Sequence, residues 1–485
     1  MPTSKFSFVP KAYTPKKNDF ICLPFLDGKT QYFSKTHTPD KLFDAAAPEK
    51  KGSTRTIMVG ELSGQRVVAK SYRLDAQNSD KLRELKKMVA SALNQAEKLE
   101  CKRVVVIMDG DRVDCCKAVQ EGALLGGYAF DKYLKKKKTP LPVSLFVKTT
   151  SAAALRKALN AGNELAECIN FARDTLNEPP NAIDPVTLCD AYKEFGTAAG
   201  LKVTVWNEAR LKKEKCGGIL AVGAGSSMKS RLVIGEYIPK TRGNVPHLVL
   251  VGKGVTFDTG GYCLKPGDGQ QDMKMDMGGA AMMFSAACAI ARLKLPVRVT
   301  VYTPLAENDI SSTAYHTSDI ITMRSGTTVQ VDNTDAEGRL ILADTLTIAC
   351  QKKPDYLIDS ATLTGACVVA LGEDIAAVFG TDRAFNQRLI DAGLNAGEDL
   401  WEMPLHMPYM SQLKTKMADC KNLGNRWGGS ISAALFLKKF VSDDVKNWIH
   451  VDIAGPGCKQ KPLEHLGLGA KGFGVKTIVS LAQTL

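Results

Sequence analysis

The chain has 485 residues, with 64 Lys or Arg against 51 Asp or Glu, which gives a formal net charge of +13. Hydrophobic residues make up 44% of the chain, enough apolar surface to exclude intrinsic disorder as a description of the whole. The length exceeds what one hydrophobic core usually serves and favours two domains. Residues 1–150 carry a net charge of +12 and residues 151–485 only +1, so the basic character belongs to the first third.

The cysteines and the N-terminal sequence indicate a reducing compartment. Thirteen Cys occur without a repeated spacing and without a CxxC motif, which favours free thiols over a disulfide framework. The first twenty residues lack the apolar core of a secretory signal. We therefore expect a cytoplasmic protein, with organelle targeting as the weaker alternative. Because no apolar run approaches the ~20 residues of a membrane span, we expect no membrane partner.

The first 150 residues alternate between strand and helix patterns. An amphipathic helix is predicted over Lys81–Leu99, where Leu, Val and Ala recur at helical spacing. Strands rich in β-branched residues are predicted over 55–62, 65–72, 102–110 and 141–149, with a turn at Ser63-Gly64 between the first two. This pattern predicts an N-terminal α/β domain over residues 1–150.

An Ala-rich periodic segment follows and ends where Pro179 and Pro180 cannot continue a helix. We predict that residues 151–182 form a helical linker. Beyond it, strands and helices alternate again, which predicts a second α/β domain over 183–485 with a mixed sheet sandwiched by helices. Its strands are predicted over 201–207, 230–238, 247–258, 297–305, 355–363 and 447–454, and its helices over Met277–Leu293, Glu337–Lys352 and Ile431–Phe440.

Two segments of this second domain place acidic residues at junctions between strands and helices, where α/β domains bind ligands. In the first, an apolar strand leads into Lys253 and Asp258, followed by Lys265 and Asp276. Each of these residues alone is most simply a helix cap or a salt-bridge partner. Their concentration beside glycines at the ends of buried strands, where unpaired charge is costly, favours a functional site instead.

The second segment adds Asp335 and Glu337, which are two residues apart and so point to the same side of an extended chain. Together with Asp258 and Asp276 they carry four negative charges, which would repel each other unless compensated. Two divalent cations balance this charge, and two ions close together can stabilise both the attacking and the leaving oxygen of a displacement. Oxygen-rich ligation favours Mn²⁺, Mg²⁺ or Zn²⁺.

These segments resemble the M17 leucine aminopeptidase (cytosol aminopeptidase) family. The segment NTDAEGRL at 333–340 resembles the family's signature, and the likeness extends over roughly residue 163 to the C-terminus. It includes VGKGVTFDTGG, MKMDMGGAA, PLAEN, SATLTGA, GGSISAALFL, HVDIAG and GAKGFGV. The resemblance implies a metal-dependent exopeptidase that releases N-terminal, preferably leucine-like, residues from peptides by attack of a metal-activated water. It also implies a homohexamer.

The resemblance assigns roles to individual residues. It implies two metal ions, Zn²⁺ or Mn²⁺, held by Lys253, Asp258, Asp276, Asp335 and Glu337. Lys265 and Arg339 match the family's catalytic cations, and Arg339 is implied to hold a bicarbonate. The residues implied to bind substrate are Met273, Asp276, Thr362, Leu363, Gly365, Ala454 and Gly457. Relatives often carry a larger residue at the position of Gly457, which leaves room here for a wider pocket.

Other hydrolase classes lack support, since the chain has no HExxH and no GxSxG motif. The alternative from a different class is a nucleic-acid-binding protein that uses the basic N-terminal domain, including Lys135–Lys138. A solvated basic face is the simpler interpretation, because aromatic residues do not interleave with these lysines as base stacking would require. Nucleic-acid binding could also coexist with peptidase activity as a second function.

Overall fold

The computed structural model describes residues 4–10, 16–26, 30–31, 56–62, 65–74, 78–109, 113–241, 243–458, 461–463 and 465–485. The chain forms two compact units, residues 1–170 with 461–469 and residues 171–460 with 470–485. The predicted domain boundaries at residues 150 and 182 stay predictions. The predicted turn at Ser63-Gly64 lies outside the described residues.

The first unit is built on a seven-stranded sheet. Its strands are β1 (Phe6–Val9), β2 (Asp19–Leu26), β3 (Thr30–Gln31), β4 (Thr56–Leu62), β5 (Gln65–Leu74), β6 (Arg103–Asp109) and β7 (Val143–Lys148). They are ordered β1-β7-β6-β2-β5-β4, and β3 pairs with β2. Helices α1 (Asn78–Lys98) and α2 (Val113–Leu124) bury apolar side chains such as Val89 and Val119 in one core with Val104 of β6. Helix α3 (Ala152–Asn177) runs across the point where the two units divide.

The second unit is built on a nine-stranded mixed sheet. Its strands are β8 (Lys202–Trp206), β9 (Arg231–Tyr237), β10 (His247–Gly252), β11 (Gly254–Asp258), β12 (Arg298–Asn308), β15 (Tyr356–Ala361), β16 (Ile375–Gly380), β17 (Asp399–Glu402) and β19 (Trp448–Asp452). The order is β17-β16-β19-β15-β10-β12-β9-β8, and β11 pairs with β12. The central strands β12, β10, β15 and β19 are parallel, whereas β8 and β9 pair antiparallel with their neighbours. Strand β16 pairs antiparallel with β19 and parallel with β17. A small separate sheet joins β13 (Ile320–Thr322), β14 (Thr328–Gln330) and β18 (Cys420–Lys421).

Helices cover both faces of the nine-stranded sheet. The helices of this unit are α4 (Pro185–Ala199), α5 (Glu208–Lys213), α6 (Gly217–Val222), α7 (Gly267–Gln270), α8 (Gly278–Arg292), α9 (Glu337–Cys350), α10 (Gly365–Leu371), α11 (Arg383–Ala396), α12 (Gly429–Lys438), α13 (Ala454–Cys458) and α14 (Val475–Ala482). Helix α9 packs Leu340 and Ile341 into one core with Val249 and Val251 of β10. Since side chains alternate along a strand, the intervening residues of β10 face the other side, where α8 packs.

The predicted fold class is confirmed. Two α/β parts are present, and the sheet of the larger one is mixed and lies between helices. One predicted strand differs in detail, because the segment 247–258 is divided at Lys253 into β10 and β11. All thirteen cysteines are described, and all are free thiols, as predicted. Within the described parts of the chain, every helix is too short or too polar to cross a membrane.

Candidate metal centre

Lys253 lies in the break between β10 and β11, where the backbone is held from two sides. Its amide donates to the carbonyl oxygen of Ser360 at 3.0 Å, and its own carbonyl accepts from the amide of Ala280 at 2.8 Å. Gly252 makes this approach possible, because a Cβ there would lie 2.3 Å from the carbonyl oxygen of Gly279. The break thus directs a lysine, almost completely buried, to the carboxyl end of the sheet.

Two carboxylates surround the Lys253 ammonium. Its Nζ lies 2.7 Å from Oδ2 of Asp276 and 2.7 Å from Oε1 of Glu337, and it donates to the carbonyl oxygen of Thr362 at 3.0 Å. Asp276 is brought here by the short 3₁₀ turn Met273–Met275 that precedes helix α8. The hydroxyl of Thr362 donates to Oδ1 of Asp276 at 2.8 Å and so orients that carboxylate.

A second lysine lies on the more open side of the cluster. Lys265 Nζ lies 2.8 Å from Oδ2 of Asp258 and forms an ion pair with Asp335. Oxygen atoms of Asp258, Asp335 and Glu337 lie within 4.8 Å of one another, the spacing that three ligands of one metal ion need. The structure therefore brings together all five residues predicted as ligands, together with Lys265.

Glycines shape the turn between Asp258 and Lys265. Gly260 and Gly261 have φ angles of 88° and 62°, a region that favours glycine. A Cβ at Gly260 would also lie 2.6 Å from the carbonyl oxygen of Cys263. This turn returns the chain so that the lysine four residues later faces the carboxylate at the end of β11.

The cluster has more negative charge than its cations balance. Burial raises the pKa of Asp276 well above its usual range although Lys253 lowers it, and burial with the charges of Glu337 and Asp258 raises the pKa of Asp335 to about 6. Burial lowers the pKa of Lys253, but the neighbouring carboxylates outweigh it and the pKa is raised. A metal ion coordinated by Lys253 would have to displace its proton.

Glu337 provides the test of whether a cation fits this site. Its side chain is almost completely buried, yet Oε2 has no hydrogen bond within the described residues. A buried carboxylate oxygen without a partner is costly. An oxygen of Glu337 lies within 4.8 Å of oxygens of Asp258 and Asp335, so a divalent cation between the three carboxylates would supply the missing interaction. The residues present therefore fit divalent metal ions.

Arg339 lies two residues beyond Glu337 in helix α9 and is buried. Its Nη1 donates to the carbonyl oxygen of Asn422 at 2.7 Å, whereas its buried Nε has no hydrogen-bond partner in the part of the chain that the structure describes. Burial lowers the pKa of Arg339 to about 10, so the guanidinium stays charged at neutral pH. An unpaired N–H on a buried cation fits a small anion such as bicarbonate.

The residues predicted to bind substrate lie around Asp276 and the following turns. Thr362 contacts Asp276, and Gly457 lies beside it, since a Cβ at Gly457 would be 3.1 Å from Cγ2 of Thr362. The amides of Leu363 and Ala454 donate to the same oxygen of Asp452, at 3.1 and 3.0 Å.

Two further residues of the predicted pocket, Met273 and Gly365, lie on other segments of the chain. Met273 begins the 3₁₀ turn that ends at Asp276. Gly365 begins helix α10, and a Cβ there would meet no atom of the described residues within 4 Å. Met273 thus lies on the turn that carries Asp276, whereas Gly365 begins a helix two residues after Leu363.

Buried residues behind the ligands had no predicted role. Asn308, the last residue of β12, donates from Nδ2 to Oδ1 of Asp258 at 2.8 Å and to the carbonyl oxygen of Thr334 at 3.0 Å. Asn422 and Asp452 are buried in the same way and accept hydrogen bonds from the backbone of neighbouring loops. Each of these three residues stands at or just beyond the end of a strand. That position is the one feature of the sequence that could have indicated them.

Comparison with known proteins identifies the class of enzyme. Residues 170–479 match the family model of the cytosol aminopeptidase catalytic domain. A probable cytosol aminopeptidase of Rhodococcus opacus is 45% identical over 377 residues, which cover 76% of this chain and 74% of that protein. One of Chlorobium limicola is 37% identical over 492 residues, with 96% and 97% covered.

Solved structures agree with this class. The bottromycin maturation enzyme BotP in complex with Mn is 32% identical, has a TM-score of 0.84, and the match covers 97% of this chain and 99% of that one. A mutant of tomato leucine aminopeptidase is 26% identical with a TM-score of 0.86, covering 100% and 97%. The chain belongs to the M17 cytosol aminopeptidase family, as its sequence motifs predicted, and is a metal-dependent N-terminal peptidase.

Proposed function

We propose that the protein is a leucyl aminopeptidase that uses two metal ions to release leucine-like residues from the N-terminus of peptides. The observation that carries this proposal is the cluster of Lys253, Asp258, Asp276, Asp335 and Glu337 at the carboxyl end of the sheet. The partly unpaired carboxylates of this cluster, with the family membership, support a dinuclear site.

The contacts support a division of the five ligands between two metal positions. Lys253 touches Asp276 and Glu337, which favours these three around one ion. Asp258 and Asp335 share Lys265 and lie beside Glu337, which favours a second ion between these carboxylates. Glu337 would then belong to both groups. Two ions held there, Zn²⁺ or Mn²⁺, would lower the pKa of a shared water and polarise the scissile carbonyl.

The protein's own side chains would act on the free α-amine of the substrate and on the carbonyl of the scissile peptide bond. We assign Asp276 to the free α-amine of the substrate, which explains why only an N-terminal residue is released. Lys265, partly open to solvent, would donate to the oxygen that becomes negative during attack. Arg339 stays protonated, so it cannot serve as a base, and we assign it to hold a bicarbonate that carries the proton.

We assign the side-chain pocket to Met273, Thr362, Leu363, Gly365, Ala454 and Gly457. Thr362 and Gly457 face each other closely, and Asp452 holds Leu363 and Ala454 together. The absence of a side chain at Gly457 supports space for a branched residue of leucine size.

The test is hydrolysis of leucine p-nitroanilide, with N-acetyl-leucine p-nitroanilide as the matched control. We expect the first to be cleaved and the second not, because the acetyl group removes the free amine. A panel of methionine, phenylalanine, alanine and lysine anilides measures the preference. Dialysis against a chelator should abolish activity, and Mn²⁺ or Zn²⁺ should restore it. Full activity in a metal-free preparation would contradict the proposal.

We also propose a homohexamer in the cytoplasm, on the ground of family membership and of the relatives' designation as cytosol aminopeptidases. Sedimentation analysis of the purified protein tests the assembly. We do not extend the proposal to nucleic acid, because two lysines of the basic run have local partners. Lys138 pairs with Glu97 at 3.0 Å, and Lys137 donates to the carbonyl oxygen of Asp131 at 2.6 Å.

A further inference from the structure

A single buried side chain holds the loop that carries two of the proposed ligands. Asn422 follows strand β18 and is completely buried. Its Oδ1 accepts from the amides of Asp332 at 2.8 Å and Asn333 at 3.2 Å. Its Nδ2 donates to the carbonyl oxygens of Asn333 at 2.7 Å and Ala336 at 3.4 Å. One amide thus uses both its acceptor sites and both its donor hydrogens on a single five-residue turn.

The position of this turn decides where the ligands point. Asp335 lies inside it, and Glu337 is the next residue after it. The other side of the turn is anchored at Thr334, whose hydroxyl donates to the carbonyl oxygen of Gly260 at 2.6 Å and whose carbonyl accepts from Tyr315 at 2.6 Å. The Asn422 side chain fixes the residues on both sides of Thr334, so the two anchors together leave the turn little freedom.

The main chain of the same residue reaches the buried cation. The carbonyl oxygen of Asn422 accepts from Nη1 of Arg339 at 2.7 Å. Ala or Ser at this position keeps that carbonyl. Substitution of the side chain therefore separates the effect on the turn 332–336 from the effect on Arg339.

We infer that Asn422 is a positioning residue for the metal centre, which holds the turn 332–336 so that Asp335 and Glu337 face Asp258. This inference rests on the proposed dinuclear function. Residues that orient ligands from behind typically account for a 10–100-fold difference in metal affinity. In Asn422→Ala the amides of Asp332 and Asn333 and the carbonyls of Asn333 and Ala336 lose this partner, and the turn gains freedom.

The experiment is a titration of chelator-treated protein with Mn²⁺, followed by the electron paramagnetic resonance signal of the free ion. We expect Asn422→Ala to bind Mn²⁺ about 10–100-fold more weakly than wild type. The matched control is Lys421→Ala, which removes a partly exposed ion pair of 2.8 Å to Asp332 on the same turn. Because such pairs contribute little, its Mn²⁺ affinity should stay within about threefold of wild type.

A second variant covers the case in which Asn422→Ala does not fold. Asn422→Ser keeps a hydroxyl that can serve one of the four backbone groups, so its loss of affinity should be smaller than about 100-fold but still measurable. Wild-type Mn²⁺ affinity in either folded variant, with only a lower unfolding temperature, would assign Asn422 a structural role and overturn the inference. Absence of Mn²⁺ binding by the wild-type protein would instead overturn the proposed function, and the inference with it.

Discussion

Gly338 is the second residue of helix α9, and Lys253 passes directly over it. A Cβ at this position would lie 2.6 Å from Cε, 2.7 Å from Cδ and 2.8 Å from Nζ of Lys253. Ordinary contacts to a Cβ are 3.4–4 Å, so the Gly338→Ala variant must displace the lysine side chain by roughly 1 Å. The lysine is almost completely buried and has three short polar contacts, so it cannot move without lengthening some of them.

The magnitude follows from two opposing effects. Alanine in a helix is more favourable than glycine by up to about 1 kcal/mol. Each lost hydrogen bond to a charged group costs about 1.5–3 kcal/mol. The contacts of Lys253 with Asp276 and Glu337 therefore outweigh the gain in helix propensity. A displacement of about 1 Å in a catalytic site costs on the order of 100-fold in rate, and we expect kcat/KM to fall by about that factor.

The assay is steady-state hydrolysis of leucine p-nitroanilide at saturating Mn²⁺, with urea unfolding measured in parallel. The matched control is Gly267→Ala, at the start of helix α7, where a Cβ would meet no atom of the described residues within 4 Å. That variant should keep wild-type kcat/KM. If Gly338→Ala keeps kcat/KM within about threefold of wild type, the argument that Gly338 sets the position of Lys253 is refuted.

Three further outcomes are expected. Lys265→Ala should lower kcat by about 100–1,000-fold, since it removes a donor to the developing negative charge. The metal content of this variant, measured by mass spectrometry, should stay near that of the wild type. Loss of metal would show that Lys265 is a ligand instead. Burial lowers the pKa of His247 to about 4, whereas in the unfolded state its pKa is about 6.5. The unfolded state therefore binds the proton first, and the free energy of unfolding falls as the pH drops from about 6.5 towards 4. His247→Gln should flatten this part of the urea-unfolding profile against pH, and an unchanged slope would contradict the lowered pKa. Chelator-treated protein should keep its far-ultraviolet circular dichroism spectrum, because Lys253, Lys265 and Arg339 partly balance the four carboxylates. Addition of Mn²⁺ should then raise its unfolding temperature. Unfolding on chelation would show instead that the metal is needed for the fold.

The position of the candidate site was predictable because parallel strands end at the same edge of a sheet. Lys253 and Asp258 follow or end strands β10 and β11, and the acids of the segment 333–340 stand at the start of a helix packed on the same strands. The sequence pattern of an apolar strand leading into charged residues was therefore sufficient to group them. The two-residue spacing of Asp335 and Glu337 further indicated that both carboxylates could reach one point.

Local details were less predictable for two reasons. The break at Lys253 depends on the close approach of Gly252 to the carbonyl of Gly279, which an apolar pattern cannot show. Helix α4 is absent from the predicted elements although Asp184 caps it, with Thr187 completing a capping box and Pro185 in the first turn. In that case the signal was present in the sequence, whereas the prediction used Pro179 and Pro180 only to end the preceding helix.

The buried amides behind the ligands could not be predicted from spacing. Asn422 is 86–90 residues away in sequence from the turn it holds, and Asn308 is 50 residues from Asp258. Both bind mostly backbone atoms or a single carboxylate oxygen, so nothing in the partner's residue type indicates the pairing. Only the tertiary structure shows that these two amides hydrogen-bond to polar groups next to the ligands.

Lysine at position 253 explains how so many acids can be buried together. Its ammonium lies 2.7 Å from both Asp276 and Glu337, so these carboxylates are paired with a cation in the folded chain. On the proposed assignment, a metal ion that binds there exchanges for the lysine proton. The same side chain then serves as counter-ion before metal binding and as ligand after it. A histidine, with a usual pKa of about 6.5, would be mostly neutral at pH 7 unless the acids shifted it, and would be the weaker counter-ion.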